Sequence, residues 1–289
     1  MRREPVTIVT KIASFAAGLA LLPALMACAP TKRFCPSDTR IDFSETLALA
    51  RKSELAYLSD SLVQAACASD SSFIIIGPRT GARAFVQRND STRTQWVAFR
   101  GTQTLGDVKL DARYTHHRDT VLGIYLHQGF ASAADELLPA LLPHLRPDYE
   151  TILTGHSLGG AVAAVMTLHL ESLGYTVRAQ TFGQPKVTNI EGARMHASIN
   201  LTRFVNGRDP VPLVPPVDWK PGGGGGSFAH FGREILLEDS TFECLSRHYV
   251  RNLDPGEWEG QAQTEAALDH LLANYLLRLN QLNEIPEPQ

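Results

Sequence analysis

Apolar and polar positions change rhythm several times along this chain, and each change marks an element. Between Asp42 and Ala66 the apolar residues Phe43, Leu47, Leu49, Leu58 and Leu62 recur near helical spacing, which predicts one helix or two. Three short β-rich runs follow: FIIIG (73–77), RAFVQ (83–87) and TQWVAF (94–99). They are separated by PRTG and RNDST, which are turn chemistry, so the stretch reads as an antiparallel meander ending in a strand at 95–99. Residues 107–128 are mixed and polar, and no element is read there. SAADELLPALLPHL (132–145) then reads as a helix broken at its far end by Pro143 and Pro147.

Downstream, strands and helices alternate. ETILTG (150–155) predicts a strand, Leu158–Leu173 a helix, and TVRAQTFG (176–183) and TRFVN (202–206) further strands. A long loop covers 215–232, where the five consecutive glycines 222–226 have no place in a packed element and suit a flap or a surface insertion. REILLED (233–239) predicts one more strand, and EAALDHLLANYLLRLNQL (265–282) a terminal amphipathic helix. Strands alternating with helices predict an α/β fold with a mostly parallel sheet covered on both faces.

The first 28 residues obey none of these periods. Positive charge in MRREP and at Lys11 precedes the 16-residue apolar run IASFAAGLALLPALMA. That run is short for a membrane span and contains Pro23, so it reads as an export signal. It ends in LMAC, which resembles the lipobox of bacterial lipoproteins. The resemblance implies a signal peptide over 1–27 and a lipid-bearing Cys28. A tether (28–41) and one domain (42–289) would follow. Ala29 after Cys28 favours the outer membrane or cell surface over the inner membrane. In an exported domain disulfides are permitted, and Cys35 or Cys67 is expected to pair with Cys244.

Composition narrows the classes. With 289 residues, 44% hydrophobic and 20% charged, the chain suits one globular α/β domain. Its net charge is −3 and its basic residues are scattered, which argues against a nucleic-acid partner. The cysteine spacing matches no zinc site.

Chemistry gathers around TGHSLGGA (154–161). A strand enters, Gly155 and Gly159 allow a tight turn, and a helix leaves, so Ser157 is lifted clear of the sheet as a nucleophile. The helix N-terminus brings free N–H groups, Leu158 among them, to the place where an oxyanion would form. A serine needs a base, and the base needs a carboxylate. Asp209, directly after a predicted strand, is the candidate acid. His248 and His270 compete as base. His270 is preferred because the loop before the last helix can bring its ring back over the elbow, whereas His230 follows the long loop too closely and lies on or beside a strand.

Seven segments in order are similar to the class 3 lipase family of α/β-hydrolases: VAFRGT (97–102), LHQGF (126–130), TGHSLGGA (154–161), TFGQPKVTN (181–189), RFVNGRDPVPLVPP (203–216), HFGREI (230–235) and DHLLANY (269–275). The resemblance covers roughly residues 42–280. It implies Ser157 as nucleophile, Asp209 as triad acid and His270 as triad base, since a histidine after Asp with an aromatic residue following describes His270 and not His248. It implies Thr102, with Leu158, as the oxyanion hole, and places His127 and Gly129 in a loop lining the site. The implied activity is hydrolysis of lipid esters such as acylglycerols, by a monomer that needs no metal or organic cofactor. The family's apolar lid is replaced here by QTLGDVKLDARYTHH (103–117), whose Gly106, Asp107 and Lys109 interrupt the apolar face. That departure favours a phospholipase or a short-chain or non-lipid esterase as alternatives. A non-catalytic envelope lipoprotein would be expected to have lost a triad member, and none is missing.

Overall fold

The computed structural model describes residues 41–68, 70–102, 114–215, 225–238, 241–245 and 266–284. All lie in the unit Arg33–Gln289. The expected signal peptide, Cys28, the tether, the 103–113 part of the lid segment and His248 lie outside the described residues.

Helix α1 (Phe43–Leu55) starts where expected because Asp42 caps it, its carboxylate accepting the N–H groups of Ser44 and Glu45. α2 (Asp60–Ala66) follows. β1 (Ser71–Ile76), β2 (Arg83–Asn89) and β3 (Thr94–Phe99) form the predicted antiparallel meander. After β3 the chain adds two very short strands, β4 (His116–Arg118) and β5 (Tyr125–His127), and then α3 (Gln128–Leu141). α3 begins four residues before the predicted start and ends before Pro143. The exposed Pro139 sits in its last turn.

β6 (Glu150–His156) runs into α4 (Leu158–Ser172), and β7 (Val177–Phe182) follows. β8 (Thr188–Asn189), α5 (Ile190–Met195) and β9 (Leu201–Asn206) come next. β10 (Phe228–Ala229), β11 (Arg233–Leu237) and β12 (Phe242–Leu245) complete the strands. The chain closes with α6 (Ala266–Asp269) and α7 (Leu272–Asn283).

The main sheet has the order β1-β2-β3-β6-β7-β9-β11-β12. Its centre, β3 through β11, is parallel, while β1, β2 and β12 are antiparallel at the edges. Alternation along β6 divides the core. Leu153 joins Val97, Leu137, Val162 and Leu168 on the α3–α4 face, and Ile152 joins Leu47, Phe182, Phe204 and Tyr275 on the α1–α7 face. Each such buried Leu, Ile or Phe contributes roughly 1.5–3 kcal/mol. This is the α/β-hydrolase fold. A second sheet, β10-β8-β5-β4, carries His127 as the last residue of β5, directly before α3.

Two expectations need correction and one is narrowed. The terminal helix is broken at His270–Leu271, with Leu271 extended (φ −63°, ψ 128°). The cause is tertiary: Asn206 Nδ2 donates to the Asp269 carbonyl at 2.9 Å and His156 Nε2 donates to the His270 carbonyl at 2.7 Å. Those two carbonyls are thereby withdrawn from the helix ladder. Cys244 is disulfide-bonded but Cys67 is a free buried thiol, so Cys67 is not its partner, and the remaining candidate, Cys35, lies outside the described residues. Finally, Gly225 of the glycine run is packed. A Cβ there would meet the His116 ring at 2.5 Å, and its carbonyl accepts from Asn189 Nδ2 at 2.8 Å.

Candidate active site

The elbow is built by close backbone approach. A Cβ on Gly155 would stand 2.3 Å from the Gly159 carbonyl oxygen, and one on Gly159 would stand 2.2 Å from the Phe99 carbonyl oxygen. Only hydrogen fits at either position, so α4 can leave β6 at a sharp angle beside β3. Ser157 sits at the corner with φ 57° and ψ −127°. A non-glycine residue there is strained, and the strain persists because the surroundings fix it. Ser157 N–H donates to the Phe182 carbonyl at 2.9 Å, and the Ser157 carbonyl accepts from Ala161 at 3.1 Å.

Three separate elements converge on this corner. His270 Nε2 lies 2.9 Å from Ser157 Oγ. On the other side of the ring, Nδ1 lies 3.0 and 2.9 Å from the two oxygens of Asp209. The consistent proton assignment has Nδ1–H donating to the carboxylate and Nε2 accepting from the serine hydroxyl. Asp209 is reached from β9 through a turn at Gly207, whose φ is 47°. Its carboxylate also accepts from Tyr275 Oη at 2.6 Å and from the Val211 N–H at 2.8 Å. Burial alone would raise its pKa. The His270 imidazole, together with these hydrogen bonds, outweighs burial and holds the carboxyl below its usual range.

Several side chains and one glycine that support these residues are not legible in the sequence. Gly183 (φ 58°) lies under the Asp–His pair, and a Cβ there would stand 2.7 Å from Asp209 Oδ2 and 3.0 Å from the His270 ring. Nothing in the segment TFGQP (181–185) announces that role. Tyr57 and His156 tie α1's end to the elbow. Tyr57 Oη donates to His156 Nδ1 at 3.0 Å, and His156 Nε2–H donates to the His270 carbonyl. Gly101 N–H in turn hydrogen-bonds to the Tyr57 oxygen, whose pKa burial pushes well above the ordinary phenol value in spite of that bond. Burial drives the His156 pKa down to about 3, with the nearby His270 adding to the effect, so His156 is a neutral strut. Lys186 is fully buried and donates to the carbonyls of Leu213 (2.8 Å) and Pro215 (2.9 Å), which clamps the loop after Asp209. Its pKa is lowered to about 8 by burial.

Beside the elbow, a cavity of about 540 Å³ is lined by Thr102, Leu158, His127, Gly129, Phe130 and Ala133, with other residues. Thr102 Oγ1 is buried with no hydrogen-bond partner. Leu158 is the first residue of α4, so its N–H has no partner within the helix. Ser157 itself is 2% exposed and is not one of the cavity's walls. His127 stacks on Phe130 with ring centroids 4.2 Å apart, and burial first, then His116, lowers its pKa to about 4. His230 follows β10, and its Nε2 lies 2.7 Å from the Pro212 carbonyl, away from the serine.

An oriented serine, an imidazole and a buried carboxylate beside unpaired donors suit nucleophilic attack on a carbonyl carbon. Known proteins agree with that chemistry. Residues 96–219 match the class 3 lipase family. A lipase from Rhizomucor miehei is 32% identical over 176 residues, covering 56% of this chain and 47% of the relative. A secreted mono- and diacylglycerol lipase from Fusarium solani is 29% identical over 152 residues, covering 50% of this chain and 46% of the relative. The chain spans about half the length of these relatives. The solved structure of the Rhizomucor miehei triacylglyceride lipase superposes with a TM-score of 0.63 at 24% identity, over 83% of this chain and 95% of that one.

Proposed function

We propose that this chain is a serine carboxylic-ester hydrolase acting on acylglycerols through an acyl-enzyme. The observation that carries the reading is the unbroken line of hydrogen bonds from Ser157 through His270 to Asp209. The match of residues 96–219 to class 3 lipases supports it.

In the proposed reaction, Ser157 Oγ attacks the ester carbonyl carbon while its proton passes to His270 Nε2. Asp209 holds the ring in the required tautomer and stabilises the imidazolium. The carbonyl oxygen gains the negative charge and is met by the N–H and hydroxyl of Thr102 and by the Leu158 N–H. Each such donor is worth about 3–4 kcal/mol in the transition state. Collapse of the intermediate breaks the bond to the alcohol, which leaves with the proton from His270. Water then attacks the acyl carbon and gives its proton to the same nitrogen, and the acid is released as that proton passes to Ser157 Oγ. A hydroxyl that is buried without a partner, as Thr102 Oγ1 is, costs about 1–3 kcal/mol. A substrate oxyanion would supply the missing acceptor.

The same reading includes an exported, monomeric protein with a signal peptide over 1–27, lipid on Cys28, a tether to residue 41 and the catalytic domain over 42–289, anchored at the outer membrane or cell surface. Metabolic labelling with a fatty-acid probe is expected to mark the protein and to fail in Cys28→Ser. Recovery wholly in the inner membrane would refute the sorting assignment.

The test of the activity is hydrolysis of p-nitrophenyl esters from acetate to palmitate by the full chain and by its Ser157→Ala variant. Long-chain hydrolysis that vanishes in the variant is the expected result. A peak at acetate or butyrate would redirect the assignment to a small-ester hydrolase, and hydrolysis of phospholipids in preference to acylglycerols would make it a phospholipase. No hydrolysis of any ester by the intact chain would overturn the proposal.

A further inference from the structure

Away from this site, and among the described residues, three elements bring one further cluster of ligand-type side chains together. Asp119 follows β4 and uses Oδ1 to accept the N–H groups of Val121 (2.9 Å) and Leu122 (2.8 Å), so Oδ2 is left facing inward. His169, near the end of α4, places Nε2 3.1 Å from that oxygen, and both side chains are 6% exposed. Despite this proximity, Nε2 makes no hydrogen bond. Asp135 approaches from the exposed side of α3. The ligand atoms of the three residues all lie within 4.8 Å of one another.

A buried imidazole nitrogen without a hydrogen bond is unfavourable unless its lone pair has another partner. Two carboxylates on the same point make a cation that partner. We propose that Asp119, Asp135 and His169 form a structural site for a divalent cation of the zinc class. One imidazole nitrogen with carboxylate oxygens is a zinc-type donor set, whereas calcium takes six to eight oxygens. Ligand atoms bonded to tetrahedral zinc at ~2.0–2.2 Å lie ~3.3 Å apart, close to the observed 3.1 Å between Nε2 and Oδ2. Asp135 is exposed and has only to rotate inward, and water completes the shell. His169 lies roughly three turns beyond Ser157 on α4, about 18 Å along the axis, so this ion takes no part in ester chemistry. It would cross-link α3, α4 and the turn after β4.

The site is distinguished from a simple His–Asp ion pair by Asp135, which a pair does not need. Full chain stripped with chelator is titrated with zinc and, separately, with calcium by calorimetry, and its thermal unfolding is followed with and without zinc. One saturable zinc site and a zinc-dependent rise in Tm are expected. Asp135→Asn and His169→Gln should each weaken zinc by ~10-fold or more and abolish the rise. Asp135 is on the surface, so its variant remains informative if the His169 variant fails to fold. Absence of saturable zinc binding, equal zinc affinity in Asp135→Asn, or a preference for calcium would each overturn the assignment.

Discussion

Asp209 and Asp119 are both buried aspartates beside a histidine, and each accepts the N–H two residues further on, but their other hydrogen bonds differ. Asp209 meets His270 with both oxygens, and Tyr275 and the Val211 N–H take up its remaining capacity. Its partner's second nitrogen goes to Ser157. Every donor in that chain has an acceptor, which fixes the ring's tautomer and leaves a single proton-transfer direction. Asp119 spends one oxygen on its own turn and faces His169 with the other, and no hydrogen bond closes the gap. The first arrangement is saturated and suits moving a proton. The second is open by one ligand. Residue types alone do not separate the two, because the difference lies in how many donors reach each carboxylate.

The sharpest way to break this contrast is Asp209→Asn. The amide keeps the shape but favours the wrong tautomer, and kcat for ester hydrolysis is expected to fall by about 10⁴. A loss of less than about tenfold would show that the Asp209–His270 bond does not orient the base.

Acid is expected to attack the first pair through its strut. His156 and His127 have folded pKa values of about 3 and about 4, below the ordinary 6.5. Below pH 6.5 the unfolded chain therefore binds more protons than the folded one. Their contribution is complete above pH 6.5 and is lost as pH falls toward those folded values, amounting to a few kcal/mol by pH 5. Urea unfolding across pH 4–8 checks the sign. Stability that rises on acidification through this window would refute it.

A smaller effect belongs to Tyr275→Phe, which removes the 2.6 Å hydrogen bond to Asp209 and the acceptor of a hydrogen bond from the Asn206 backbone N–H. A bond to a charged group is worth about 1.5–3 kcal/mol, so denaturant unfolding should register a loss of that size. An unchanged midpoint would mean that the carboxylate is held by His270 and Val211 alone.

Much of the site was legible because its signals are local. Ser157 needs glycines within two residues and a strand before it, and these stand side by side in the sequence. Asp209 follows a strand whose β-rich run was plain. The antiparallel meander announced itself through its turns. What failed to show were features made by distant partners. The break at His270 exists because Asn206 and His156 claim two carbonyls, yet the apolar period from 265 to 282 continues across it. β8 and β10 have two residues each, and β4 and β5 three, too few to express an alternation. Gly225 sits in a run whose composition reads as unpacked, yet its place is defined by the ring of His116. Tyr57 and His156 form their bond across the first half of the domain, and Asp119, Asp135 and His169 share no motif.

The backbone contacts at the elbow also bear on how this chain tolerates change. Gly155 and Gly159 leave no room even for a methyl group, because the atoms they would strike are main-chain atoms that no rotamer change can move. Neither glycine donates, accepts or transfers anything in the proposed reaction. In a saturation scan scored for hydrolysis they would nevertheless look as indispensable as Ser157. Intolerance at this corner therefore reports steric clearance as faithfully as chemistry, and a map of essential positions would outline a site larger than the one that reacts.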